Sequence, residues 1–309
     1  MTEKMELLKP TNDYVFCRLF GYKGNENITK AFLEAITKDK YDFIEVENQA
    51  RTIRDFRSDK IGILDIKAEN KDHIFNIEMQ VVKYDDMPDR ILWYWSKLYS
   101  SDIKESEKYS NTRKVISILI TDYNLDVLKD VDRYHSSWHI REDEMSTIIL
   151  TPKFEIHIIE LNKLEVNINK QGDTKLRQWL EFIRNPNHRE VFCMNEEIEN
   201  ARKVLEEISQ DEEERKLAEQ REIWRIDYNS IIGSLEEKAN EAIEEAKNAK
   251  ERGLEEGRAE GKIEGKIEGK IEGNKETAKR MLNRGFDIDM VVDLTGLSRE
   301  EVEELTEEK

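Results

Sequence analysis

Residues 61 to 82 read IGILDIKAENKDHIFNIEMQVV, and this stretch decides the fold. Two runs rich in β-branched residues, Ile61 to Ala68 and Ile74 to Val82, have the length of strands. Between them, Asn70-Lys71-Asp72-His73 is a turn signal. A symmetric hairpin folded about the Lys71–Asp72 link pairs residues whose numbers sum to 143. Asp65 and Glu78 meet that condition, so they are expected to face each other across two strands, on one side of the sheet. Directly opposed residues hold their Cβ atoms about 4.5–5.5 Å apart. Gln80 lies two residues beyond Glu78 and shares the face.

Like charges opposed in a sheet are destabilising, and a structural role gives no reason to accept that. A divalent cation does, because hard carboxylate oxygens suit Mg²⁺ or Mn²⁺. Such an ion lowers the pKa of a bound water and stabilises charge on a phosphate in transfer. Gln80 would then orient the attacking water or a phosphate oxygen. The competing reading leaves both carboxylates facing solvent on an open sheet. The apolar neighbours Leu64, Ile66, Ile77 and Met79 point instead to a protected setting. Just upstream, Arg51, Arg54, Arg57 and Lys60 form a basic cluster suited to a DNA backbone, since phosphate contacts position a substrate without reading its sequence. The alternative for this cluster is an ordinary solvated strand or loop.

On either side of the hairpin, helix and strand signals alternate. Pro10-Thr11-Asn12-Asp13 supplies N-cap residues ahead of the apolar set Tyr14, Val15, Phe16, Leu19 and Phe20. Ile28, Ala31, Phe32, Ala35 and Ile36 follow at helical spacing. Residues from about Met87 to Lys108 read as a helix whose aromatics, Trp93, Tyr94, Trp95 and Tyr99, suit a core more than a base-stacking platform. Phe43 to Val46, Val115 to Thr121 (VISILIT) and Phe154 to Leu161 (FEIHIIEL) read as further strands, the second covered on both faces. The pattern predicts an α/β domain with a mixed sheet over residues 1–194, its strand order left open. His135 and His139 are four apart (HSSWH), a spacing that serves zinc only on a helix, and no HExxH-type partner accompanies them.

Net charge is −18, which argues against nucleic acid until its distribution is read. From residue 195 onward there are 20 Lys and Arg against 34 Asp and Glu, leaving 30 against 34 for residues 1–194. The acid therefore sits in the tail, and the first part can carry a local basic face. Cys17 and Cys193 lie far apart and outside any CxxC spacing, so a reducing cytoplasm is the expected compartment. No apolar run approaches the roughly 18 residues of a membrane span, and no membrane role is expected.

The tail reads as three segments. Residues 195–252 are charged and helical, and residues 253–274 carry a repeat with glycine at 253, 257, 261, 265, 269 and 273. Residues 275–309 form a small helical hairpin. Each glycine costs a helix about 1 kcal/mol relative to alanine. Glu260, Glu264, Glu268 and Glu272 repel one another at i,i+4, as do Lys262, Lys266 and Lys270. The stripe does allow close approach of another helix, with Ile263, Ile267 and Ile271 beside it. A coiled-coil-like homo-oligomer through this segment is expected, and a flexible charged linker is the alternative. In the hairpin, Gly285 stops one helix, and Ser298 with Glu301 makes a capping box. This has the look of a helix-turn-helix, yet its last helix, SREEVEELTEEK, would repel phosphate, so protein contact fits better.

The pattern Asp65, twelve residues, then Glu78-Met79-Gln80 resembles the PD-(D/E)XK nuclease superfamily, and within it the recombination-promoting nuclease and transposase-like group. KPTNDYVFCRLFG (Lys9 to Gly21), LDIKAENKDHIFNIEMQ (Leu64 to Gln80) and the EG-rich repeat ahead of GFDIDMVVDLTGLS (Gly285 to Ser298) carry the likeness over nearly the whole chain. It implies a nuclease-like mixed sheet and a Mg²⁺- or Mn²⁺-dependent DNA endonuclease. By the same resemblance Asp65 and Glu78 bind the metal and an acidic residue of the first helix assists, with Asp13 the candidate and Glu34 second. The superfamily motif ends in lysine where this chain has Gln80, and a neutral amide cannot supply that charge. Lys60, Lys67 and Lys83 are candidates to replace it. The alternative function is a nuclease fold that binds DNA or protein and cuts nothing.

Overall fold

The hairpin forms in the register its turn dictates. The structure, a computed structural model, describes residues 6–47, 65–103, 106–164, 174–188 and 195–307. Strands β1 (Glu45–Glu47), β2 (Asp65–Glu69) and β3 (His73–Gln80) run antiparallel, with Asp65 opposite Glu78 and Ile66 opposite Ile77. Asn70 closes the turn because its short side chain can bond the backbone ahead of it. Its Oδ1 accepts from the amides of Asp72 at 2.9 Å and His73 at 2.8 Å.

Beyond β3 the sheet becomes parallel. β3 pairs with β4 (Lys114–Thr121) and β4 with β6 (Phe154–Glu160), while β5 (His135–Trp138) adds antiparallel at the edge. The order is β1-β2-β3-β4-β6-β5. Parallel neighbours need a crossover. Helices α1 (Asp13–Phe20) and α2 (Glu26–Thr37) precede the sheet, and α3 (Met87–Asp102) makes the β3–β4 crossover. The mixed α/β sheet is as the sequence predicts, and β5 is a strand in a segment to which the sequence pattern assigns no element.

Two apolar layers hold the sheet. On one face Phe75, Ile77, Ile116 and Ile118 meet Phe16 and Phe20 of α1 and Phe32 of α2. Trp179 of α4 (Thr174–Arg184) and Leu205 of α5 (Glu196–Gln210) complete this layer. On the other face Leu119, Ile156 and Ile158 meet Met87 and Ile91 of α3. This double cover explains the unbroken apolar run of β4. Asn12 caps α1 by accepting from the amides of Tyr14 and Val15, as its position predicts. Gly21 ends α1 where any Cβ would lie 2.9 Å from Ile66 Cγ1, so the helix end approaches β2 as closely as backbone allows.

The chain divides into two compact units, Met1–Ser230 and Ile231–Lys309. Ile198, Ala201 and Leu205 of α5, and Ala218 of α6 (Glu212–Asn283), which lie beyond the boundary expected at residue 194, pack in the first core. In the second unit the rest of α6 leads to α7 (Ile288–Thr295) and α8 (Arg299–Glu307), joined by Ala278, Val291, Leu297 and Val302. Ser298 and Glu301 form the expected capping box, with Glu301 Oε2 2.8 Å from the Ser298 amide and Ser298 Oγ 3.2 Å from that of Glu301. Among the described residues no helix is long and apolar enough to cross a membrane.

Candidate active site

Glu78 sits in the middle of the sheet at 2 % exposure, although it is a carboxylate. The alternation of β3 puts Ile77 and Met79 into the first apolar layer and turns Glu78 and Gln80 to the face covered by α3. The backbone register sets Asp65 directly across from Glu78. Gln80 is buried, and its Nε2 donates to the Val82 carbonyl at 2.9 Å. That bond fixes the amide in one orientation beside Glu78.

The surroundings are aromatic and cationic. Burial first, then the Glu78 carboxylate, push the Tyr123 phenol well above its ordinary range, and the Arg90 guanidinium opposes them. Tyr84 follows β3, and burial together with a hydrogen bond to Tyr228 of α6 raises it to about 12. Arg90 lies over the Tyr84 ring at 4.6 Å. Burial also raises Asp122, against the charges of Arg225 and Arg184. A cleft of about 520 Å³ opens beside α1, lined by Lys9, Asn12, Val81, Asp122 and Arg225 among others.

The other candidates fall differently. Asp13 is buried at the start of α1, and both its oxygens accept from Arg221 Nε at 2.8 Å, with Arg221 Nη2 closer still. Its carboxylate is thus held by an arginine some 208 residues away, a partner no local pattern reveals. Glu34 is bound to Lys40 at 2.5 Å and to the Tyr41 amide at 3.1 Å, closing the end of α2. Lys67 pairs with Glu47 at 2.8 Å and Lys83 with Asp126 at 2.9 Å. Arg51, Arg54, Arg57, Lys60 and Cys193 lie outside the described residues. Of the helix aromatics, Trp95 packs on Phe154 and donates to the Val115 carbonyl at 2.9 Å, whereas Trp93 is exposed. His135 stands on a strand, bonded to His157 at 2.8 Å.

Does a divalent cation fit? Among the described residues no group of three or more His, Cys, Asp or Glu is placed to hold one. The acidic residues that the backbone register sets opposite one another are two, Asp65 and Glu78. That suits Mg²⁺, which binds through one or two carboxylates and keeps its remaining positions for waters and substrate phosphates.

The family model described as PD-(D/E)XK nuclease family transposase matches residues 10–234. That for the Rpn/YhgA-like nuclease family, C-terminal HTH domain, matches residues 272–307. The first match ends close to the first unit's limit at Ser230, and the second covers the end of α6 with α7 and α8. No curated protein and no solved structure matches the chain.

Proposed function

Because the chain belongs to the PD-(D/E)XK nuclease family transposases, we propose that it is a DNA endonuclease working with Mg²⁺ or Mn²⁺ held by Asp65 and Glu78. The observation that carries this reading is the register: Asp65 and Glu78 stand opposite one another in the backbone pairing of β2 and β3, and Glu78 is buried. A bound cation would supply the counter-charge and an acidified water there. The chain's own residues do the rest. Gln80, its Nε2 tied to Val82, presents its amide oxygen beside the carboxylates to align the water. The α3 cover limits bulk solvent at Glu78, which strengthens every charge interaction in the site. Asp13, the candidate on α1, is held by Arg221.

The tail is read as the assembly element. The six glycines from Gly253 to Gly273 have open space where a Cβ would stand, and Ile263, Ile267 and Ile271 are exposed beside them. A second copy of the helix covers that stripe. The helix-turn-helix of residues 272–307 meets a protein partner through the acidic α8, which repels DNA.

The test is cleavage of supercoiled plasmid with and without Mg²⁺ or Mn²⁺, beside Asp65→Ala and Glu78→Ala. Metal-dependent nicking in wild type, with each substitution lowering the rate at least about 10²-fold, is the expected outcome. Equal inactivity of wild type and variants over several metals and DNA forms would favour a binding protein that keeps the nuclease fold. Activity that survives both substitutions would move the site elsewhere.

A further inference from the structure

We propose that Arg90 of α3 is the phosphate-binding cation of this site, gripping the non-bridging oxygens of the scissile phosphodiester as negative charge builds on them. The proposal rests on the nuclease reading above and names a residue that reading did not contain.

Placement comes first. Leu119 is in register with Glu78, so the two share a face of the sheet. Met87 and Ile91 of α3 pack on that face against Leu119, and Arg90 flanks Ile91. Besides burial, the Glu78 carboxylate pushes the Tyr123 phenol up and the Arg90 guanidinium pushes it down, so both charges act on one side chain.

Hydrogen bonding comes second. Arg90 Nε and Nη2 are buried and donate to no acceptor among the described residues. The guanidinium instead lies over Tyr84 at 4.6 Å and Tyr94 at 5.9 Å. Ring faces hold the cation and leave its N–H edge unused. A buried donor without an acceptor is costly, and a guanidinium edge is the shape that takes two phosphate oxygens at once. Of the three lysines named as replacements for the motif's missing charge, the two among the described residues are engaged elsewhere: Lys67 with Glu47 and Lys83 with Asp126. Arg221 is committed to Asp13.

The chemistry is hydrolysis. A water oxygen bonds to phosphorus and gives its proton to solvent. One ester P–O bond breaks, its electron pair stays on the departing oxygen, and that oxygen takes up a proton. Arg90 forms no bond in this step and holds the phosphoryl oxygens throughout.

The experiment compares full-length wild type with Arg90→Met, Arg90→Lys and Arg90→Met combined with Gln80→Lys. Plasmid cleavage is measured in Mn²⁺, and affinity for a duplex oligonucleotide in Ca²⁺ over a range of salt. Arg90→Met should slow cleavage by about 10²–10³-fold. It should also lower the slope of log affinity against log salt by about one, the loss of one phosphate contact. Arg90→Lys should keep that slope with part of the rate, and Gln80→Lys should return part of the rate to Arg90→Met. Cleavage and salt slope of Arg90→Met matching wild type would overturn the proposal. If Arg90→Met does not fold, Arg90→Lys decides: slower cleavage at an unchanged melting temperature supports the role, and an unchanged rate overturns it. A wild type inert with every metal sinks the nuclease reading and this one together, whereas an active wild type with an indifferent Arg90 sinks this one alone.

Discussion

Asp13 and Arg221 are two buried charges that satisfy one another, at 7 % and 9 % side-chain exposure. Removing one partner of such a pair strands the other in a medium of low polarity, which costs about 3–5 kcal/mol, whereas an apolar replacement of both is far milder. Asp13→Ala and Arg221→Met should therefore each lower unfolding stability by about that amount, and the double variant by much less than their sum. Urea titration of the four forms measures the coupling. Additive losses would mean that the pair is not the reason for either residue. At this scale the sequence speaks unevenly. The Asp65–Glu78 register follows from a two-residue turn and a period of two, both local. The Asp13 carboxylate was legible as a site candidate, but its partner lies in the acidic tail, where one more arginine among many charges gives no signal. Arg90 was equally silent, since its meaning lies in what its N–H groups fail to meet.

Among elements, the β5–β6 edge carries a polar chain that sequence reading treated only as a zinc spacing. His135 bonds His157 at 2.8 Å, His157 bonds Glu155 at 2.7 Å, and Lys114 reaches Glu155 at 2.6 Å. His139 lies 3.3 Å from the same carboxylate. These residues come from β4, β5, β6 and the loop after β5, so only the strand pairing unites them. Burial, then the charges of His157, Lys38 and Arg133, hold His135 at about 3, against an ordinary 6.5. Burial pushes Glu155 up, yet His157 and Lys114 hold it at about 2, against 4.5. Both folded values lie below the unfolded ones, so below those values the unfolded chain binds more protons and stability falls with pH. The loss runs from 6.5 to about 3 for His135 and from 4.5 to about 2 for Glu155. Melting temperature should drop steadily below pH 6.5, and His135→Gln should flatten the part between pH 6.5 and 4.5. Thermal melts of both proteins over that range would show it, and identical slopes would remove His135 from the account.

For the molecule as a whole, the α/β class and the acidic tail were both legible, because alternating patterns and a charge imbalance need no tertiary knowledge. The packing of α5 was not. α5 is charged on one side and apolar on the other, and with its acidic surface it reads as tail until Ile198, Ala201 and Leu205 are seen inside the core. The glycine stripe makes a prediction about the assembled state. Wild type should sediment as a dimer at micromolar concentration, and a triple change of Ile263, Ile267 and Ile271 to Glu should give a monomer. A monomeric wild type would end the pairing reading.

The clasp on α1 also bears on the order of synthesis. Leu8, Asn12, Tyr14 and Asp13 bond Ser209, Ala218, Glu214 and Arg221, partners 200 to 208 residues downstream. At about 5–20 residues per second on the ribosome, the first helix waits roughly 10 to 40 seconds for the segment that locks it. A cell translating this chain therefore carries its first helix unclasped for roughly two thirds of each round, until Arg221 has been added.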